Sequence, residues 1–181
     1  ALEGANRVAG IVRAMKDFAH PADSDKTTVD INHAIKTTLE VSRGEWKHAA
    51  EMVLELDDTV PTIDALRGPL NQTLLILIVN AAQAVAETAN GHKGQIRIAT
   101  SHNPQQVEIR ISDSGPGIPA EIMDRIFDPF FTTKEVGEGS GQGLAIARTC
   151  IVEQHGGEIF VDAAAQETTF VLRIPHAGAT S

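Results

Sequence analysis

At 181 residues, with 42% hydrophobic and 22% charged content, the chain holds enough material for one well-filled domain and a small appendage. Fifteen basic against 24 acidic residues give a formal charge of −9, and no basic stripe is interleaved with aromatics, so nucleic acid and direct contact with a membrane are not expected. The single cysteine, Cys150, excludes an internal disulfide and suits a reducing, cytoplasmic setting, and no apolar run approaches the roughly 18 to 20 residues of a membrane span.

Residues 1–19 place Val8, Ile11, Val12, Met15 and Phe18 at helical spacing, and His20-Pro21 would end that one-faced helix. No signal peptide precedes it, and an opening in mid-helix suggests a piece excised from a longer protein, which a membrane segment elsewhere could anchor. The polar stretch 22–28 is the expected linker, residues 29–176 the domain, and 177–181 a tail. Residues 29–31 are expected as a short strand, with Asn32 capping a helix to about Ser42. Met52, Leu54 and Leu56 alternate as a strand, and 62–66 can form another. Residues 69–85 follow, PLNQTLLILIVNAAQAV, apolar on every side, as in a helix buried against a sheet. Residues 94–100 and 106–112 alternate strongly and are joined by a hairpin turn. Beyond a loop-rich segment, 141–155 is expected as a helix stopped by Gly156-Gly157, and 158–161 and 168–174 as closing strands. The expected fold is therefore α/β, a sandwich of a mixed sheet with helices on one face.

Four features carry chemistry. Asn80 interrupts the apolar run, so its amide either finds partners in the core or stands where a ligand supplies them. Asp113 ends a strand at the turn DSGPGIP, where a carboxylate can accept from an exocyclic amine, while Gly115 and Gly117 let a flat base approach the backbone. Adenine would satisfy that carboxylate; guanine would oppose it with a carbonyl oxygen. The alternative is a plain tight turn. GEGSGQGLAIA runs glycines at 137, 139, 141 and 143 into an apolar helix, aiming free amides at one spot, as a polyphosphate requires; otherwise it is a surface loop. It lacks the Gly-Lys-Ser/Thr ending of a P-loop. FDPFFTTK holds Phe127, Phe130 and Phe131, which form either an anchor for a lid over 132–142 or a core cluster.

Asn80, DSGPGIP, FDPFFTTK and GSGQGLAIA, in this order, resemble the ATP-binding domain of two-component sensor histidine kinases, most closely the nitrogen-sensor type. The resemblance covers about residues 1–175. It implies that Asn80 holds magnesium, that Asp113 pairs with the adenine amine, and that Gly115 and Gly117 shape the base pocket. It further implies that Gly139, Gly141 and Gly143 cradle phosphates, with Gln83, Ile118, Lys134, Ser140, Gln142, Leu144 and Thr168 completing the nucleotide site for ATP or ADP. Residues 1–21 resemble the second helix of the dimerisation hairpin, implying a homodimer and a response regulator receiver domain as partners.

Three positions depart from the pattern. Ile76 stands where these kinases often carry Asn and hydrolytic relatives a catalytic Glu, so hydrolysis is disfavoured. Gln142 replaces an apolar residue between the last two glycines, and 163–170 lack the glycines usual before the final strand. None of the seven histidines, 20, 33, 48, 92, 102, 155 and 176, begins a His-Glu or His-Asp pair, so no catalytic residue or phosphoacceptor is assigned, and all seven are expected at the surface or as caps. The function implied is transfer of the γ-phosphoryl of magnesium ATP to a histidine on the hairpin. Its alternatives are a nucleotide-sensing module without transfer and a protein serine kinase of the same superfamily, such as an anti-sigma factor.

Overall fold

The computed structural model describes residues 25–132, 141–162 and 165–176. The expected amino-terminal helix, the tail, and Lys134, Gly139 and Ser140 with most of the expected lid lie outside those residues. In chain order the elements are β1 (Thr27–Val29), α1 (Ile31–Val41), α2 (Arg43–Trp46), β2 (Ala50–Glu55), β3 (Ile63–Ala65), α3 (Arg67–Glu87), β4 (Gly94–His102) and β5 (Gln106–Asp113). A single 3₁₀ turn at Ala120–Ile122 precedes α4 (Gly143–Arg148), which continues as a wider π-helical turn over Thr149–Gln154 before β6 (Glu158–Val161) and β7 (Thr168–Pro175). Five strands form one sheet in the order β2-β4-β5-β7-β6, with β2 parallel to β4 and every other pair antiparallel; β1 and β3 form a separate antiparallel pair. This is the expected mixed sheet with helices.

The inner face follows the period of two. Ile96 and Ile98, Val107, Ile109 and Ile111, and Phe170, Leu172 and Ile174 are buried in register across β4, β5 and β7. Helix α3 lies in this core. It is long and apolar enough to cross a membrane by length and composition, yet twelve of its 21 residues are buried inside the molecule. The outer face of the sheet carries an ion ladder instead: Arg110 pairs with Asp162 and Glu108, and Arg173 with Glu108 and Glu158 while covering the Phe160 ring at 4.9 Å. Such half-exposed pairs contribute little stability individually but keep an open sheet face wet.

Two expectations near α1 need correction. The strand ends at Val29 and Ile31 already opens the helix, whose cap is Asp30, accepting the His33 N–H at 3.1 Å. Asn32 is two residues too late to cap. Its amide donates to the Asp57 carbonyl and accepts from Thr100, tying α1 to the ends of β2 and β4.

His155 is buried rather than at the surface, although it does cap a helix. Its Nε2 accepts the N–H of Leu66, the residue before α3, at 3.0 Å, and its Nδ1 donates to the Cys150 carbonyl at 2.7 Å. Only the neutral ring with the proton on Nδ1 satisfies both bonds. Burial pushes its pKa below the usual 6.5. Below pH 6.5 the unfolded chain therefore binds a proton that the folded one refuses, and stability is lost as the pH falls. His155→Ala is expected to cost about 1 to 3 kcal/mol at neutral pH, by leaving a buried N–H unpaired, and to flatten this acid dependence; denaturant melts between pH 5 and 7.5 would check both.

Candidate functional site

The site is organised along one face of α3. Residues 76, 80 and 84 are successive (i, i+4) neighbours, each about 6 Å further along the axis. Ile76 meets Gly143 at the foot of α4, where a Cβ on that glycine would lie 3.1 Å from the Ile76 Cγ2. Ala84 meets Gly115, whose Cβ would lie 2.8 Å from the Ala84 Cβ. Asn80 stands between, partly exposed, and its side-chain amide makes no hydrogen bond among the described residues. The last glycines of GEGSGQG and the DSGPG turn therefore sit about 12 Å apart along the helix, with a free amide midway.

At the DSGPG turn Asp113 is 3% exposed. Thr168 and Ile96 are its register partners on the flanking strands. One carboxylate oxygen, Oδ1, accepts the Gly115 N–H at 2.9 Å. Ser114 locks the turn to β4 through bonds with Gln95 in both directions. Burial pushes the Asp113 pKa up to about 6; the Gly115 N–H opposes the shift and the Glu167 charge adds to it. Such a carboxyl gains from a ligand that donates a hydrogen bond to it.

Glycine is required at 115 because the turn runs against α3. A methyl there would also lie 2.9 Å from the Ala84 carbonyl carbon and 2.7 Å from the Asp113 Oδ1. Gly115→Ala should destabilise the fold by about 1 to 3 kcal/mol and tilt the carboxylate, and a thermal melt with and without nucleotide would register both losses. Gly117 has φ +84°, and its face opens towards Thr168, 3.8 Å from the Oγ1.

The three phenylalanines divide between the two expected roles. Phe127 packs edge-on to Phe170, centroids 6.3 Å apart, and Phe131 lies under Arg125, so both are core. Phe130 is 71% exposed, at φ 66°, and its N–H donates to the Gly141 carbonyl at 2.8 Å. That bond joins the residues on either side of 133–140, which lie outside the described residues together with the expected lid, and it holds Phe130 in its strained left-handed backbone. Gln83 is partly exposed on α3, Ile118 and Leu144 pack partly buried against the core, and Gln142 is the N-cap of α4, its carbonyl accepting the Ile146 N–H at 2.9 Å with no capping bond from its side chain. Sequence reasoning missed Ala84. Its signal was the small residue four positions after Asn80.

Among the described residues no group of three or more His, Cys, Asp or Glu side chains could hold a metal. A magnesium ion here would have to take most ligands from phosphates and water, with the Asn80 amide as the protein's contribution, which suits that ion's habit of keeping waters. The arrangement is a buried carboxyl acceptor and a glycine-lined helix foot joined along one face of α3, with an amide between them that is unpartnered among the described residues.

Three comparisons bear on this arrangement. A family model described as histidine kinase-, DNA gyrase B-, and HSP90-like ATPase matches residues 65–178. The sensor histidine kinase ZraS of Escherichia coli strain K12 is 38% identical over 175 residues, covering 94% of this chain and 36% of ZraS. The sensory histidine kinase/phosphatase NtrB of Rhizobium meliloti strain 1021 is 28% identical over 181 residues, covering 94% of this chain and 47% of its own. The chain thus spans between a third and a half of these relatives. Among solved structures, the catalytic domain of the histidine kinase ThkA superposes with a TM-score of 0.73 at 31% identity, covering 84% of this chain and 98% of that one. ThkA in complex with the response regulator TrrA matches with the same TM-score at 25% identity, over 99% of this chain and 50% of that one.

Proposed function

The chain belongs to the histidine kinase-, DNA gyrase B-, and HSP90-like ATPase family, as an ATP-binding catalytic domain of the sensor histidine kinase type, and from that premise we propose that it presents the γ-phosphoryl of magnesium ATP to a histidine on a dimerisation hairpin. The observation that carries this reading is the spacing along α3: base turn, free amide and glycine foot lie in a line of the right length and order. Asp113 selects adenine, Gly115 keeps the wall thin, and the main chain at Gly141 and Gly143 receives the phosphates at the start of α4. Bound magnesium would neutralise charge on the transferring phosphoryl, and Asn80 is the residue that would hold it. The protein's own work is positioning.

Phe130 and Ile146, 71% and 36% exposed, flank a groove of about 350 Å³ between the start of α3 and α4, lined also by Pro69, Ala145 and Cys150. That apolar groove beside the phosphate end is the surface we assign to the hairpin helix, whose dimer and receiver-domain partner follow from the same reading. Ile76 favours one rival, a nucleotide-sensing module that transfers nothing, because it offers the metal no second ligand one turn before Asn80.

Calorimetry with ADP separates a metal-holding Asn80 from a bystander. Asn80→Ala should leave the affinity measured in chelator unchanged and remove most of the gain that magnesium gives, about tenfold. Equal losses in both conditions would mean that Asn80 shapes the pocket and holds no metal.

A further inference from the structure

Strand β2 forms one border of the five-stranded sheet, and its outer edge is unpaired among the described residues. The Ala49 carbonyl accepts the Gly94 N–H, so alternation along the strand turns the main-chain groups of Glu51, Val53 and Glu55 towards β4 and those of Ala50, Met52 and Leu54 outwards. An open row of donors and acceptors is a template for another strand.

Two further observations say what kind of strand. The edge is electrically polar: Arg43, Lys47, His48 and Lys93 gather at its beginning, and none of Arg43, Lys47 and Lys93 is ion-paired among the described residues, while Glu55, Asp57 and Asp58 lie at its end, where Arg97 pairs with Glu55 at 3.6 Å and His102 with Asp57 at 3.9 Å and Asp58 keeps no ion pair among the described residues. Leu54, on the helix side of the edge, is 41% exposed, while a groove of about 480 Å³ wraps the beginning of the edge, lined by Trp46, Ala50, Met52 and Glu51 among the cations. An edge with opposite charges at its ends and a protruding leucine three to four residues from a groove is complementary to itself, run antiparallel.

We propose that two copies of this chain pair antiparallel through β2, centred on Met52, to make a continuous ten-stranded sheet. In that register Ala50 faces Leu54 of the second copy, so each Leu54 enters the groove beside the other copy's Trp46. Glu51 faces Val53, which avoids the Glu51-to-Glu55 opposition that a shift of the centre to Val53 would create. The basic beginning of each strand meets the acidic end of the other. Only six residues a side are paired, so the contact is weak, with a dissociation constant of about 0.1 to 1 mM.

Sedimentation equilibrium of the 181-residue chain, from micromolar to millimolar, tests the proposal with two charge reversals. Arg43→Glu with Lys47→Glu, and separately Glu55→Lys with Asp58→Lys, should each weaken self-association at least tenfold, and mixing the two variants should restore it, because both ends are then complementary again. Met52→Pro removes only an outward N–H, which an edge strand tolerates, and should abolish pairing without unfolding the chain. Hydrogen exchange adds the register: the Met52 and Leu54 amides should slow as concentration rises, while Glu51 and Val53, already turned to β4, should not change. A chain monomeric at millimolar concentration, association indifferent to both reversals and to Met52→Pro, or a mixture no stronger than its components would each overturn the proposal. So would concentration-dependent protection that spares Met52 and Leu54, which would place any self-association elsewhere.

Discussion

Asp113→Asn is expected to lower ADP affinity by about 100-fold and to erase the preference for adenine over guanine. The Gly115 N–H needs an acceptor, so the asparagine would keep its oxygen on that bond and turn its NH₂ towards the base. An amine donor would then face the adenine amine, a repulsion where an acceptor stood, whereas guanine would present its carbonyl oxygen to the new donor. The parent chain should bind GDP far more weakly than ADP, and the variant should lose affinity for ADP while gaining for GDP. Acidity supplies a second axis. Burial pushes the Asp113 carboxyl up to about 6, and its ionised form is the stronger acceptor for the amine, with no O–H competing at the base edge, so the parent's ADP affinity should fall as the pH drops below 6 while the variant's should not. Stability runs the other way. A folded pKa above the ordinary carboxylate value favours the folded state fully below pH 3.8, and that contribution is lost as the pH rises to 6. The nucleotide-free variant should therefore be the more stable chain at pH 7.5, on the order of 2 kcal/mol, and the advantage should vanish below pH 4. Calorimetry and denaturant melts over pH 4 to 8 check both; unchanged binding, or a variant that still prefers ADP, would remove the base from Asp113.

How much of this was legible depended on the range of the interaction. The alternation of Ile96 and Ile98 with Val107, Ile109 and Ile111, and the all-round apolar run before Asn80, are periodic signals, and the sheet and α3 follow them. The capping of α1 was misplaced by two residues, because Asp30 and Asn32 are equally good caps in isolation and only the Thr100 and Asp57 partners, far along the chain, claim Asn32. The helix expected over 141–155 narrows to Gly143–Arg148 and then widens into a π-helical turn, which leaves no mark in the composition. Asp113, Gly115 and Gly117 were flagged by turn chemistry, which also allowed a plain tight turn, and were singled out by the resemblance. Ala84 and the Gly143 contact with Ile76 were not, since close approach of two backbones depends on how α3 is rolled against the sheet. His155 was invisible for a related reason: a histidine before Gly-Gly looks like a helix end, and only the fold brings Leu66 to its Nε2.

The largest expected effect concerns phosphoryl transfer. None of the seven histidines begins a His-Glu or His-Asp pair, and His155, the buried one, has both ring nitrogens engaged in neutral hydrogen bonds, so no acceptor of the hairpin type is available within these 181 residues. Ile76, 4% exposed and packed at Gly143, puts a hydrocarbon wall where a general base would have to stand to activate water. The chain alone should therefore bind ATP yet neither label itself nor release phosphate appreciably. Supplying a helical hairpin that carries a histidine, as a separate protein or fused ahead of residue 1, should restore labelling by a factor of about 10³ or more, because the reaction chiefly requires that the imidazole reach the γ-phosphorus in line. Phe130→Ala with Ile146→Ala should cut that transfer at least tenfold while leaving ADP affinity within about twofold, since both side chains flank the groove beside the phosphate end and neither lies on the line from Asp113 to Gly143. Radiolabelled ATP, with acid and alkali treatment of the product, measures each step: label lost in acid marks phosphohistidine, and label resistant to acid marks a serine. Self-labelling of the unassisted chain would reveal an acceptor outside the hairpin pattern. Brisk phosphate release would show that a group other than residue 76 activates water, and a hairpin that stays unlabelled while ATP still binds would make the nucleotide-sensing module the better account of this domain.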